Sequence, residues 1–375
     1  MLSFTPTEAM EKALRDMQGL IAYNQVTLET LPPEELEYLR HNAFISSIGA
    51  STRIENAVLT DNEINWVDTV LTSDGKTTAF EARKAYIFDK LSKDKERSIE
   101  EVAGCRDVLS TVYLQARDMA PLKEADIRGL HHALLRYYPG AAHYAGNYKT
   151  TSNRVISKNH DTGQEKIVLE PAAPGLETET AMTDLLQWYN QTYRDHPWSL
   201  LVATEFVFRF LAIHPFQDGN GRLGRALFLM CLLQSEDKRL TSGLPYISID
   251  RHIEKNRATY YTVLQQCSDG KFRADPKEYQ IEHLARFFMA MMKDALEDID
   301  FYRKKYALYQ DLPDSHRTVL QCFKARPETR LQLKDIEGEL SLSRSTVIRA
   351  LNSLSKNGFL LAQGKGPARK YQLMF

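Results

Sequence analysis

The sequence predicts a mainly α protein: a helical bundle carrying one β-hairpin, followed by a C-terminal winged helix-turn-helix domain. Three observations point there. Apolar residues recur at helical spacing along most of the chain as far as about Tyr306. One stretch, residues 146–169, is instead rich in Thr, Val, Ile and Tyr, with Asp161-Thr162-Gly163 at its middle, the pattern of two short strands around a turn. The segment 317–375 reads as short helices closed by a strand pair around Gly364-Lys365-Gly366-Pro367.

Taken in order, Pro32-Pro33-Glu34-Glu35 is a helix start, with proline in the first turn and acids near the positive end of the dipole. The pattern runs through Leu36, Leu39, Ala43, Phe44 and Ile48; a further helix follows Ser51 and carries Ile54. Thr60-Asp61-Asn62-Glu63 starts another with a capping box. Helices are expected at about 79–91, 100–119 and 123–137. The hairpin comes next, closed by the loop Glu170-Pro171-Ala172-Ala173-Pro174-Gly175. Helices resume near Thr178, with apolar ones at 199–213 and 226–233. Leu312-Pro313-Asp314 reads as a linker. The expected organisation is a helical region at 1–95, a central domain at 96–306 and the winged helix at 314–375.

A chain of 375 residues suits two or three packed units. A net charge of −1 gives no global field that would favour nucleic acid or a membrane. Cys105, Cys231, Cys267 and Cys322 are scattered without metal-type pairing, as expected of reduced thiols in a cytoplasmic protein. The first residues lack the basic start and apolar core of a signal peptide, and the apolar run 226–233 is too short to cross a bilayer.

The chemistry concentrates in His214-Pro215-Phe216-Gln217-Asp218-Gly219-Asn220-Gly221-Arg222-Leu223-Gly224-Arg225, a polar, glycine-rich loop between two apolar helices. Gly219 and Gly221 permit unusual backbone angles and close approach of an anion. The N–H groups opening the next helix point at the same place. Arg222 and Arg225, three apart, share a helix face and can both reach phosphate oxygens. Asp218 offers a hard oxygen to Mg²⁺. His214 can accept a proton near neutral pH. These are the parts needed to attack a nucleotide's phosphate.

The segment resembles the signature of the Fic family, HPFx(D/E)GNGRxxR, with every fixed position present. A chance match of nine fixed residues is on the order of 10⁻¹² per start point. The resemblance extends from about residue 51 to 292, and implies a Fic helical bundle with a β-hairpin flap. It implies a protein adenylyltransferase that moves AMP from ATP, with Mg²⁺, to a Ser, Thr or Tyr hydroxyl of a target protein and of itself. In it His214 is the base and Asp218 the metal ligand. Gly219, Asn220, Gly221, Arg222, Leu223 and Gly224 form the phosphate nest, and Arg225 meets the γ-phosphate. Pro215 and Phe216 are structural.

Upstream, Ser51-Thr52-Arg53-Ile54-Glu55-Asn56 resembles the family's inhibitory motif, (S/T)xxxE(G/N), on a helix expected at about 48–58. The resemblance implies that Glu55 pairs with Arg225, with Ser51 and Asn56 completing the motif. A carboxylate there takes the γ-phosphate's place and repels it.

The hairpin at about 147–169 matches the family's flap, whose strand edge can take up a target segment. Where relatives often read Gly-x-Tyr-Arg, this chain has Gly146-Asn147-Tyr148-Lys149, which removes any role that needs a bidentate guanidinium. Tyr260 and Tyr261 correspond to tyrosines near the adenine; Ser268 stands where some relatives carry an asparagine.

From Asp314 onward eleven Lys and Arg face five Asp and Glu. Such a basic surface suits DNA phosphate, or a protein partner that includes a second copy of the chain. Two alternatives to AMP transfer stand at this point: a DNA-binding regulator with a self-modifying Fic domain, and removal of AMP from modified proteins with Glu55 positioning a water. No membrane partner is expected.

Overall fold

The computed structural model describes residues 1–72, 77–158, 165–324, 326, 330–364, 366 and 369–374. The chain forms two compact units, Met1–Ala57 with Arg97–Ile299, and Val58–Glu96 with Asp300–Phe375. The region expected as 1–95 is thus shared between the units.

In the first unit, the helix Pro33–Ile54 starts with proline and two acids in its first turn. It does not break before Ser51, as the sequence had suggested. Ser47 and Thr52 donate their hydroxyls back to the carbonyls of Ala43 and Ile48, each at 2.9 Å, rather than capping a new helix. The helix stops where Asn56 takes a left-handed conformation (φ 73°). There Ala57 N–H closes onto Thr52 O at 3.1 Å, the hydrogen bond of a Schellman end.

The helix Ser199–Ile213 is buried from Leu200 onward and forms the centre of the unit. Against it packs the helix Asn220–Leu233. A Cβ added to Gly224 would meet Leu211 Cδ2 at 3.0 Å, so the two helices approach closely only because this position is glycine. The second helix begins at Asn220 rather than Ala226. Gly219, left-handed at φ 81°, ends the loop, and Asn220 folds back to bond Phe216 N–H and O at 3.0 and 2.7 Å.

The hairpin is shorter than expected. Its strands are Val155–Lys158 and Glu165–Leu169, antiparallel, with an irregularity between Val155 and Ile156. The stretch 146–154 is not strand, because its polar groups bond the loop after Ile213 instead. The expected turn at Asp161-Thr162-Gly163 lies outside the described residues. No helix among the described residues is long and apolar enough to cross a membrane.

In the second unit, Thr60 and Glu63 cap the helix Asp61–Thr72 reciprocally, at 2.8 and 3.4 Å. The C-terminal part holds the helices Asp314–Lys324, Leu333–Glu337 and Arg344–Lys356. A three-stranded sheet completes it, with Lys370–Leu373 between Leu331–Gln332 and Leu360–Gln363. The strand Leu331–Gln332 was not foreseen; Lys365 and Pro367 of the expected turn lie outside the described residues. Ser343 caps the Arg344–Lys356 helix by accepting Thr346 N–H at 3.2 Å, and Gly358 follows it at φ 75°. Val347, Leu351 and Leu354 face a core with Phe323, Ile336 and Phe359, while Arg349 and Asn352 are exposed.

Leu354, with no exposed surface, sits at the centre of that core. Leu354→Ala should cost about 2–5 kcal/mol. The check is amide hydrogen exchange, in which the strands Leu360–Gln363 and Lys370–Leu373 should lose protection.

Candidate functional site

The loop 214–219 joins the two buried helices. His214 takes the left-handed conformation (φ 50°, ψ 59°) as it ends the Ser199–Ile213 helix. Pro215 contributes, since the residue before proline is disfavoured in right-handed helical geometry. Phe216 is fully buried and stacks on the ring of His131 at 3.8 Å and 9°. His131 accepts Gly146 N–H at Nδ1 (2.8 Å), so Nε2 carries its proton and donates to Asp218 O at 2.9 Å. Burial pushes the His131 pKa down to about 4, which keeps this arrangement neutral. His131 thus supports the loop at Phe216 and at Asp218. Only its tertiary position reveals this role, and the sequence reading did not find it.

The loop, the end of the Pro33–Ile54 helix, the hairpin and the helix Arg257–Ser268 enclose a cleft of about 320 Å³. Of the expected residues, Glu55, His214, Asp218, Gly219, Asn220, Gly221, Arg222, Arg225, Tyr260 and Tyr261 line it. Leu223 and Gly224 do not: Leu223 is wholly buried, and Gly224 faces the neighbouring helix. Ser51 reaches the site through Arg225, and Asn56 accepts from Arg257 Nη2 at 2.8 Å. Ser268 and Arg154 also line the cleft.

His214 Nδ1 lies 3.3 Å from Leu211 O and can meet a carbonyl only as a donor, which leaves Nε2 as the acceptor. Burial first, and the Lys149 ammonium second, lower the His214 pKa to about 4. The ring is therefore a neutral base at physiological pH.

Arg225 is 3% exposed. Its Nε donates to Ser51 Oγ at 2.9 Å, and its Nη2 to Ser51 O at 2.7 Å and to Glu55 Oε1 at 2.9 Å. Gly221 makes this pairing fit: a Cβ there would lie 2.2 Å from Glu55 Oε1. Arg225 Nη1 has no hydrogen-bond partner, nor do Nε and Nη1 of Arg222. Arg222 Nη1 is 3.3 Å from Glu101 Oε1, an ion pair without hydrogen-bond geometry. Such orphan donors on buried guanidiniums suit anionic oxygens.

Asp218 holds Gly219 N–H at 2.6 Å and lies 3.4 and 3.5 Å from Arg222 and Arg97. Its side chain is 43% exposed, at the edge of the cleft. Among the described residues no three side chains converge as metal ligands. The donor set fits a Mg²⁺ ion that takes one carboxylate and draws its other oxygens from water and phosphate.

Residues 121–232 match the Fic/DOC family model, and residues 318–364 match the IclR helix-turn-helix domain. A Fido domain-containing protein of Dictyostelium discoideum is 33% identical over 99 residues, which span 23% of this chain and 66% of that protein, just under two thirds. A Fic family protein from Desulfovibrio desulfuricans G20 superposes with a TM-score of 0.56 at 23% identity, over 100% of this chain and 98% of its own. A Fic domain containing signaling protein from Bacteroides thetaiotaomicron VPI-5482 gives 0.53 at 23% identity, over 77% and 97%. Fic-1 from C. elegans gives 0.55 at 17% identity, over 80% and 74%. Residues 121–232 thus carry a Fic/DOC domain.

Glu55→Gly would leave the buried Arg225 with Ser51 as its hydrogen-bond partner and Asp250 as a neighbouring carboxylate. Because the Glu55 side chain is 30% exposed, the loss should be about 1–2 kcal/mol. A thermal melt should show the lower midpoint, and inorganic triphosphate should raise that midpoint more than it raises the wild type's.

Proposed function

We propose that this chain transfers AMP from ATP to a Ser, Thr or Tyr hydroxyl of a target protein, and of itself, and that Glu55 restrains it. The observation supporting this reading is one cleft with two features: a neutral His214 whose Nε2 is the free acceptor, and Arg222 and Arg225 with unfilled guanidinium donors. The target hydroxyl gives its proton to His214 Nε2 as its oxygen bonds the α-phosphorus. The bond to the β-phosphate oxygen breaks, and pyrophosphate leaves. The orphan donors and the N–H groups opening the helix Asn220–Leu233 hold the phosphate charge. Mg²⁺ at Asp218, when bound, neutralises part of the same charge. Tyr260 and Tyr261 face the adenine, and the hairpin aligns the target segment. The proposed organisation keeps the catalytic body at 96–306 and the winged helix at 314–375, in a cytoplasmic protein.

With Glu55 on Arg225, the γ-phosphate loses its partner and meets a like charge, so the α-phosphate is turned away from in-line attack. Incubation with α-labelled ATP and Mg²⁺ should label Glu55→Gly at least tenfold more than wild type, a difference of about 1.4 kcal/mol. His214→Ala should abolish the label in either background while ATP still binds by calorimetry. Equal labelling of wild type and Glu55→Gly would remove the brake from the reading; loss of ATP binding in His214→Ala would remove His214 as base.

A second reading concerns the winged helix. Its Arg344–Lys356 helix exposes Arg349, Asn352 and Lys356, and the IclR helix-turn-helix match covers it. We propose that this face meets DNA phosphate or a partner protein, including a second copy. DNA binding, measured by fluorescence anisotropy, should be weak and should fall steeply with added salt. Tight binding that ignores salt would contradict it.

A further inference from the structure

The segment after Gly146 is tied to the catalytic loop along its backbone rather than paired as a strand. Lys149 N–H donates to Pro215 O at 2.8 Å, and the Lys149 ammonium donates to Ile213 O at 3.1 Å. Asn153 Nδ2 donates to Phe216 O at 2.7 Å and reaches His214 O at 3.5 Å. Lys149 Nζ also donates to Asn153 Oδ1 at 2.9 Å, which joins the two side chains. Four successive carbonyls, those of residues 213–216, are thereby held by two residues.

We infer that Lys149 and Asn153 are positioning residues for His214, Lys149 supplying both a backbone anchor and a fixed positive charge beside the imidazole. The inference rests on the AMP-transfer reading for its role in catalysis, but its physical content does not. A non-glycine residue in the left-handed region is held there at a cost of about 1–3 kcal/mol, so its neighbours must over-determine it. The carbonyl clamp does so on both sides of His214. Lys149 is 3% exposed, an unusual place for an ammonium. Burial lowers its pKa to about 8, so it still carries its charge at neutral pH. The charged groups facing the His214 ring are Lys149, Glu55 at the end of the Pro33–Ile54 helix and Asp218 in the loop. The two carboxylates favour the imidazolium; Lys149 opposes them. Without it, a ring between two carboxylates would take up a proton more readily and lose its capacity as a base.

A lysine where relatives often read arginine therefore does the work as a point charge with separate donors, not as a planar fork.

The test uses the full chain with Glu55→Gly and three added variants: Lys149→Met, Lys149→Arg and Asn153→Ala. ¹⁵N-NMR follows the His214 ring, assigned by its absence in His214→Ala, and labelled ATP gives kcat and KM. Lys149→Met should raise the ring's titration midpoint by roughly one pH unit or more. The acid limb of the rate profile should move with it. Lys149→Arg should leave the midpoint in place. Asn153→Ala should also leave it in place while kcat falls roughly tenfold with KM for ATP unchanged. If Lys149→Met does not fold by circular dichroism, Lys149→Gln removes the charge in its place. An unmoved midpoint in the charge-removing variant overturns the charge role, and unchanged kcat in Asn153→Ala overturns the clamp. If no variant, parent included, transfers AMP, the AMP-transfer reading fails, and the ring titration still decides the Lys149 inference.

Discussion

A guanidinium with 3% of its surface exposed cannot be held in a protein without acceptors around it, and Arg225 organises its surroundings on that account. Ser51 and Glu55 are four residues apart on one helix face, so both reach the same side chain. That requires the helix Pro33–Ile54 to run unbroken past Ser51 and to stop at Glu55, its cap. The left-handed Asn56 ends it there, which explains why the motif's last position accepts glycine or asparagine. On the opposite side Gly221 leaves the space that the Glu55 carboxylate fills. Helix length, helix end, glycine and arginine form one fitted set.

The same set limits how firmly Glu55 can be held. Its bond to Arg225 is charge-assisted, but its side chain stays 30% exposed and so gains less than a buried pair. The helix end has further ties: Arg53 Nε and Nη2 donate to the Glu254 carboxylate at 2.6 and 2.9 Å, and Asn56 accepts from Arg257. Moving the whole helix end would break several polar bonds at once. Turning the Glu55 side chain alone would break one, which makes side-chain rotation the cheaper way to free Arg225.

The parts of the site legible in the sequence are those whose function needs residues close together in the chain. The loop from His214 to Arg225 is a single turn and a helix start, and the capped helix at Thr60–Glu63 is likewise local. Glu55 was readable only through its family motif, since spacing says nothing of a contact spanning 170 positions. His131 and Asn153 carried no local signal, because each acts by bonding a backbone that the fold brings to it. Two local readings failed for physical reasons. Ser51 looked like a helix start, but neighbouring hydroxyls bond back to their own helix. Gly221 and Gly224 before Ala226 looked like loop, but the Asn220 turn and the packing of Gly224 against Leu211 place them in the helix, while Gly219 stays in the loop.

The division of polar groups along the loop explains why an anion can enter a site this buried. A peptide segment presents donors and acceptors in equal number, and carbonyls facing the cleft would repel phosphate. Here the carbonyls of residues 213–216 are all bonded on the side of Lys149 and Asn153, and that of Asp218 is taken by His131. The first N–H groups of the helix Asn220–Leu233 have no acceptors within that helix, and Gly219, Asn220, Gly221 and Arg222 line the cleft. Clamping the acceptors away is therefore as necessary to the site as supplying the donors. Apart from Asn220, which also holds Phe216 O, the residues that do the clamping lie outside the signature, in the stretch 131–153, so the recognisable motif is mainly the half of the anion site that faces the ligand.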